Sequence, residues 1–228
     1  MEIRYLGHAS FEISDGSVRV LVDPFLKPDN PAAVVDPDEV DPTDILVTHG
    51  HADHMTHVVE IAKRTGARCV AIVELARWLS EQGVEEVADP NLGGTVELEW
   101  GWVKLVPAFH TNTLPDGRAI GISAGLVIGI GPTTVYHLGD TALFGDLGLI
   151  AERTPINVAL VPIGGHYTMD RFDAVTAVEL ISPFQTIPIH YGTFGPIETD
   201  AQAFKSDVQN AGFSEVIVLN PGDTHTLR

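Results

Sequence analysis

Short apolar runs broken by turn residues open the chain. Residues 3–6, 11–13 and 18–22 are spaced as antiparallel strands, the last ending at Asp23-Pro24. Residues 27–43 are rich in proline and aspartate, a composition that opposes regular structure and predicts a long surface loop. The strand pattern resumes at 45–47, and 58–64 reads as a helix stopped by Gly66. Residues 68–73 predict a strand, and 74–82 a helix whose Leu75, Trp78 and Leu79 share one buried face at i, i+3, i+4 spacing.

The middle of the chain is strand-dominated, at 96–98, 103–108, 120–130 and 133–137, with turns at Gly93-Gly94, Pro115-Asp116-Gly117 and Gly131-Pro132. From about Leu143 helix and strand alternate: strands at 157–161, 186–190 and 216–219, helices at 173–181 and 199–210. Thr199 and Gln202 occupy capping-box positions of the last helix. Both halves thus pass from β-rich to alternating structure, which a two-sheet sandwich with outer helices satisfies. The expected fold class is α/β (α+β), a four-layer αββα sandwich. No proline- or glycine-rich linker divides it, so residues 1–228 are expected to form a single domain.

Composition narrows the function. A formal charge of −18 with 13 Lys and Arg gives no basic stripe to neutralise phosphates, which excludes a nucleic-acid polymer as partner, and it gives no attraction to an anionic membrane. No apolar run reaches the roughly 20 residues of a membrane span, and the N-terminus lacks the layout of a secretory signal. The single Cys69 allows no intramolecular disulfide and fits a reducing cytoplasm; its apolar neighbours make it a buried strand residue rather than a reactive thiol. The glycines at 121, 125, 129 and 131 precede no helix and form no dinucleotide fingerprint.

The chemistry concentrates in Thr48-His49-Gly50-His51-Ala52-Asp53-His54, three imidazoles and a carboxylate where an apolar strand ends. Imidazole and carboxylate without thiolate suit zinc, manganese, iron or nickel, and leave room for two ions. His110, His137 and His190 each end an apolar strand run, and Asp140 follows Gly139 just past another. A lone strand-end histidine is more often structural; in this order they complete a set. His57 and His225 read as surface residues.

The ordered motifs H-x-H-x-D-H, then His110, then Asp140 after glycine, then His190 resemble the metallo-β-lactamase superfamily over essentially the whole chain. Tyr5-Leu6-Gly7-His8-Ala9-Ser10-Phe11, Leu21-Val22-Asp23-Pro24 and Pro162-Ile163-Gly164-Gly165-His166-Tyr167-Thr168-Met169-Asp170 are similar to its branch of metal-dependent hydrolases related to ascorbate-6-phosphate lactonase. The resemblance implies that His49, His51 and His110 hold one divalent metal ion, that Asp53, His54 and His190 hold a second, and that Asp140 bridges them. A water shared by two such cations becomes a hydroxide nucleophile near neutral pH, with Asp53 as the catalytic residue that orients it or shuttles its proton. His8, His166 and Thr168 become candidates for substrate binding, and His137 a support beside the Asp140 turn.

The implied activity is hydrolysis of a small-molecule lactone or phosphoester, including a phosphodiester, with an anionic substrate held by the metals themselves. Arg118, Arg171 and Lys27 are the only candidate phosphate clamps. At this length neither the extra domain of nucleic-acid-cleaving relatives nor a flavin-carrying extension is expected. The absence of a thiolate ligand argues against β-lactam hydrolysis, and the lack of clustered basic residues near the C-terminus against glutathione thioesters. The alternative is a non-catalytic metal-binding sensor or scaffold protein, in which the coordination would be closed rather than open to substrate. The sequence leaves a homo-oligomer open.

Overall fold

A computed structural model describes residues 1–227. The first half contains β1 (Glu2–Gly7), β2 (Ser10–Asp15), β3 (Val18–Val22), β4 (Asp44–Leu46), α1 (Ala52–Met55), α2 (Val58–Thr65), β5 (Arg68–Val70), α3 (Val73–Glu81) and β6 (Val87–Ala88). The second contains β7 (Thr95–Leu98), β8 (Gly101–Pro107), β9 (Ala124–Ile130), β10 (Thr133–His137), α4 (Leu147–Arg153), β11 (Val158–Pro162), α5 (Arg171–Ile181), β12 (Gln185–Ile189), α6 (Ala201–Ala211), β13 (Glu215–Val216) and β14 (Thr224–Thr226).

The strands form two seven-stranded sheets, ordered β14-β1-β2-β3-β4-β5-β6 and β7-β8-β9-β10-β11-β12-β13. In each, three antiparallel pairings are followed by three parallel ones. The halves are therefore equivalent in layout, and β14 returns from the C-terminus to give the first sheet the edge that β7 gives the second. Parallel neighbours need crossovers, which is where the helices enter.

Side-chain alternation along the strands separates the layers. Leu126, Ile128, Val135, Val158, Leu160, Ile187 and Ile189 pack toward the first sheet, whose inner face carries Phe11, Val22 and Leu46. Their sequence neighbours Val127, Tyr136, Ala159 and Val161 face outward, onto Ala174, Val178, Phe204 and Val208 of α5 and α6. The outer face of the first sheet takes Val58 and Ile61 of α2 and Leu75 and Leu79 of α3. The result is the αββα order expected from the pattern.

Several local expectations are corrected. The strand expected from residue 120 begins at Ala124, because the preceding stretch folds back on itself, with Ile120 N–H bonded to the Asn112 carbonyl. The strand from 68 ends at Val70, and Val73 already opens α3. Only Glu215–Val216 pairs where 216–219 was expected. The cap of α6 is Asp200 rather than Thr199, its carboxylate accepting from the N–H groups of Gln202 and Ala203. The proline-rich loop holds only a 3-10 turn at Pro37–Glu39. His57 is not a surface residue: it is 4% exposed, its Nδ1 accepts the Leu26 N–H and its Nε2 faces Asp29 at 3.2 Å. Cys69 is buried in β5, which pushes its thiol up to about 12.

β1, β3 and β4 run in one direction in the first sheet, as do β8, β10, β11 and β12 in the second, so their C-terminal ends gather at one rim of the sandwich. There His190 N–H donates to the His8 carbonyl at 2.8 Å and Ala124 N–H to the Thr48 carbonyl at 3.0 Å, each tying one sheet to the other. At the strand-start rim, Trp100 Nε1 donates to Asp44 Oδ2 at 2.7 Å and His225 Nε2 to Gln185 Oε1 at 2.8 Å. No helix among the described residues is long and apolar enough to cross a membrane.

Candidate metal centre

The strand-end rim collects the histidines. β4 leads to His49, His51, Asp53 and His54, the last two on α1; β8 leads to His110, β10 to Asp140 and β12 to His190. Two glycines make the convergence feasible. Gly139 has φ +65°, and a Cβ there would lie 2.8 Å from the Ala124 carbonyl oxygen, so the turn that delivers Asp140 admits no side chain. A Cβ at Gly164 would collide with the His190 carbonyl oxygen.

Hydrogen bonds outside the ring of nitrogens fix which atoms face inward. Asp23, fully buried, accepts from Thr48 N–H at 2.8 Å and from the Thr48 hydroxyl at 2.6 Å. With its proton committed, Thr48 Oγ1 accepts from His49 Nδ1 at 2.9 Å. Asp23 also takes His54 Nδ1–H at 2.8 Å. One carboxylate thereby sets the tautomer of two imidazoles, leaving the Nε2 lone pairs of His49 and His54 directed away from it, as a metal-binding imidazole requires. His51 Nε2 lies 3.4 Å from Thr111 Oγ1, which leaves its Nδ1 as the inward atom.

The inward atoms form two adjoining groups. His51 Nδ1 is 3.0 Å from His49 Nε2 and 3.2 Å from His110 Nε2. His190 Nε2 lies 3.7 Å from Asp53 Oδ2, and His54 Nε2 3.9 Å from it. Asp140 stands between them, with Oδ1 3.3 Å from His54 Nε2 and Oδ2 3.1, 3.5 and 3.9 Å from the Nε2 atoms of His190, His110 and His49. All seven residues singled out as ligands in the sequence are brought together.

The donor set fits divalent cations on its own evidence. His54 Nε2, Asp140 Oδ1 and both ring nitrogens of His190 are buried without an aligned hydrogen-bond partner among the described residues, although His54 and Asp140 approach closely. An orphaned buried polar atom costs about 1–3 kcal/mol, and a shared cation relieves several at once. The electrostatics agree. Burial works against charge on His54 and His190, but the carboxylates of Asp140, Asp23 and Asp53 raise His54 well above the usual imidazole range. Asp140 and Asp53 likewise raise His190 to about 9. For Asp140, burial opposes ionisation, yet His190 and His54 hold the carboxyl well below its ordinary range. The first group behaves oppositely: burial, then the neighbouring His54, holds His49 well below the ordinary value, and burial lowers His51 and His110 too.

His8 sits behind this set rather than on a substrate surface. It is fully buried in a left-handed turn (φ +61°), with Nδ1 2.9 Å from Thr193 Oγ1 and Nε2 3.1 Å from Asp53 Oδ2, and burial lowers it to about 4. Its Nε2 also falls within the reach of a common ion with Asp53, His54 and His190. His137 is a buried support: Nδ1 accepts the Gly139 N–H at 3.0 Å, so the Nε2–H donates to the Ala9 carbonyl at 2.9 Å. The ring holds the glycine turn before Asp140 in place.

A cavity of about 670 Å³ opens onto His51, Asp53, His110 and Asp140, and its walls are Phe25, Ala52, Thr111, Tyr167, Phe194 and Pro196. Of the candidate substrate residues at 166 and 168, neither His166 nor Thr168 is among these lining residues; Tyr167 between them is. Sequence reasoning assigned no role to Asp23, although its segment was singled out, nor to Asn112, whose Oδ1 accepts the Gly50 N–H at 2.7 Å, nor to Thr193, Phe25 and Phe194. Their partners lie far away along the chain, and only folding brings them together.

Comparisons with known proteins agree with this geometry. The profile described as "Beta-lactamase superfamily domain" matches residues 2–190. The chain is 48% identical to a UPF0173 metal-dependent hydrolase of Methanopyrus kandleri, over 99% of both chains. It is 47% identical to another from Symbiobacterium thermophilum, over 100% of both. Among solved structures, Igni18, a metallo hydrolase from the archaeon Ignicoccus hospitalis, superposes with a TM-score of 0.91 at 34% identity, covering 100% of this chain and 98% of that one.

Proposed function

Because the chain belongs to the beta-lactamase superfamily, and within it to the UPF0173 metal-dependent hydrolases, we propose that its rim site is a dinuclear centre that hydrolyses a lactone or a phosphoester. His49, His51 and His110 would hold one ion, Asp53, His54 and His190 the other, with Asp140 between. The observation that carries this reading is Asp140, whose two carboxylate oxygens stand between two separate groups of imidazole nitrogens.

Zinc, manganese, nickel or iron held there would supply the Lewis acidity that makes water a nucleophile near neutral pH and polarises the scissile carbonyl or phosphoryl oxygen. The chain's own groups do the rest. Asp23 and Thr48 keep His49 and His54 in the tautomer that presents Nε2. His8, itself held by Thr193, bonds the Asp53 carboxylate, whose side chain is 29% exposed and borders the cavity. From that position the Asp53 carboxylate would orient the attacking water and pass its proton to the leaving oxygen.

The same cavity separates catalysis from a sensor or scaffold role, because His51, Asp53, His110 and Asp140 border open space rather than being sealed in protein. The single buried thiol supports assignment to a reducing cytoplasm, with the chain working as one domain. The test is to load the protein with manganese, zinc or nickel and assay lactones, phosphodiesters and thioesters beside His49→Ala. Turnover confined to the loaded wild type is expected, and equal turnover by the variant would reject the reading.

A further inference from the structure

We propose that the cavity selects an uncharged ester or lactone bearing an aromatic group, recognised by Phe25, Phe194 and Tyr167. The inference rests on the hydrolase reading and narrows its substrate class.

The walls carry no countercharge for an anionic substrate. Among the described residues, no lysine or arginine lines the cavity. The cations that a phosphorylated substrate would need are engaged elsewhere: Arg118 Nε bonds Asp116 at 2.8 Å, and Arg171 pairs with Asp207 at 3.4 Å while lying over the Phe172 ring. Lys27 is absent from the lining. A terminal phosphate reaching past the metals would meet aromatic rings inside a protein of formal charge −18.

What the walls do carry is aromatic surface at two depths. Phe25 and Phe194 lie with ring centroids 6.3 Å apart, and each meets the His8 ring edge-on, at 5.7 and 5.6 Å. His8 is itself bonded to Asp53, so this wall stands directly beside the reacting edge. Phe25 is buried, which fixes it as the floor of the wall. Tyr167 stands farther out, 54% exposed, with the His166 ring packed edge-on against it at 4.5 Å. A large aromatic side chain exposed beside a metal-bordered cavity is apolar surface for a ligand to cover, and ring pairs prefer the offset and edge-on geometries seen here.

In the reaction, the water oxygen bonds to the acyl carbon, the ring or ester C–O bond breaks, and the departing oxygen leaves as an alcohol carrying the water's proton. The aromatic substituent contributes binding, not electrons, so it can be varied without altering the bond broken.

Three γ-substituted butyrolactones, bearing phenyl, methyl or carboxylate, keep that bond constant while changing only the group presented to the wall. With zinc-loaded protein, KM is read where turnover occurs, and Kd by calorimetry or NMR titration where it does not. The phenyl lactone is expected to bind at least roughly tenfold tighter than the other two, a preference of the size apolar pockets achieve. Phe194→Ala and Tyr167→Ala should each pull the phenyl-to-methyl ratio toward one with zinc content unchanged. Both are at least partly exposed, so folding does not depend on them as it does on Phe25. Equal or tighter binding of the carboxylate lactone, or a phenyl preference that survives both substitutions, would overturn the inference. Absence of turnover on every ester class by zinc-replete protein would instead defeat the hydrolase reading, while the binding ratios still decide this one.

Discussion

His8 Nε2 lies 3.1 Å from Asp53 Oδ2, joining the turn after β1 to the carboxylate of the H-x-H-x-D-H motif across 45 residues of sequence. Its other nitrogen is engaged by Thr193, so the ring is held from both sides. Removing such a support typically costs 10- to 100-fold in metal affinity or activity. His8→Ala is therefore expected to lower kcat by about 10- to 100-fold and to weaken one of two bound ions more than the other. Metal analysis alongside kinetics checks this; full metal occupancy with unchanged kcat would remove His8 from the site.

Asp23 makes a second, less visible prediction. It accepts from Thr48 and His54 with no exposure to solvent, so Asp23→Ala strips the tautomer control from His49 and His54 together. The expected result is a loss of at least about 10-fold in metal affinity, with a stability loss of about 1–3 kcal/mol from the stranded donors. Asp23→Asn should retain more of the stability than of the affinity, measured by denaturant unfolding and by competition with a chelator.

The pH dependence of metal binding follows from the raised histidines. In metal-free protein, Asp140 and Asp53 raise His190 to about 9, so below that value its ring carries a proton that an incoming cation must displace. Apparent affinity should rise with pH from 6.5 toward about 9 and then level, with proton release detectable across that window. The stability sign is opposite for the apoprotein: the contribution of His190 is complete below its unfolded value near 6.5 and is lost as pH rises through about 9. A flat chelator-competition profile between these limits would contradict the assignment.

Gly139 supplies a geometric test. With φ +65° and the Ala124 carbonyl 2.8 Å from a would-be Cβ, Gly139→Ala should destabilise the fold by about 1–3 kcal/mol and displace Asp140. Thermal unfolding reports the first effect, and a fall in bound metal the second. Gly145→Ala, where a Cβ would meet nothing within 4 Å, is the control.

The legibility of these features in the sequence follows their range. His49, His51, Asp53 and His54 were readable because α1 and the end of β4 set their spacing locally. His110 and His190 were readable as strand-end imidazoles, and the αββα layering from the change between strand-rich and alternating segments. The short helix α4 and the two-residue strands β6 and β13 carry too little periodicity to announce themselves, and Asp200 outcompetes Thr199 as a cap only once the backbone is placed. His57 looked like a surface residue because its partners, Leu26 and Asp29, lie in the irregular loop. The contacts of Asp23 and Thr193 are set by the docking of strand ends, which no local pattern encodes.

At the strand-start rim the sheets are joined by Trp100 with Asp44 and by His225 with Gln185; at the opposite rim each proposed ion would draw ligands from both. Cation affinity is then also adhesion between the two halves of the molecule. Chelation would leave that opposite rim to the backbone bonds from His190 to His8 and from Ala124 to Thr48, so the leaves of the sandwich would loosen first where the chemistry is done.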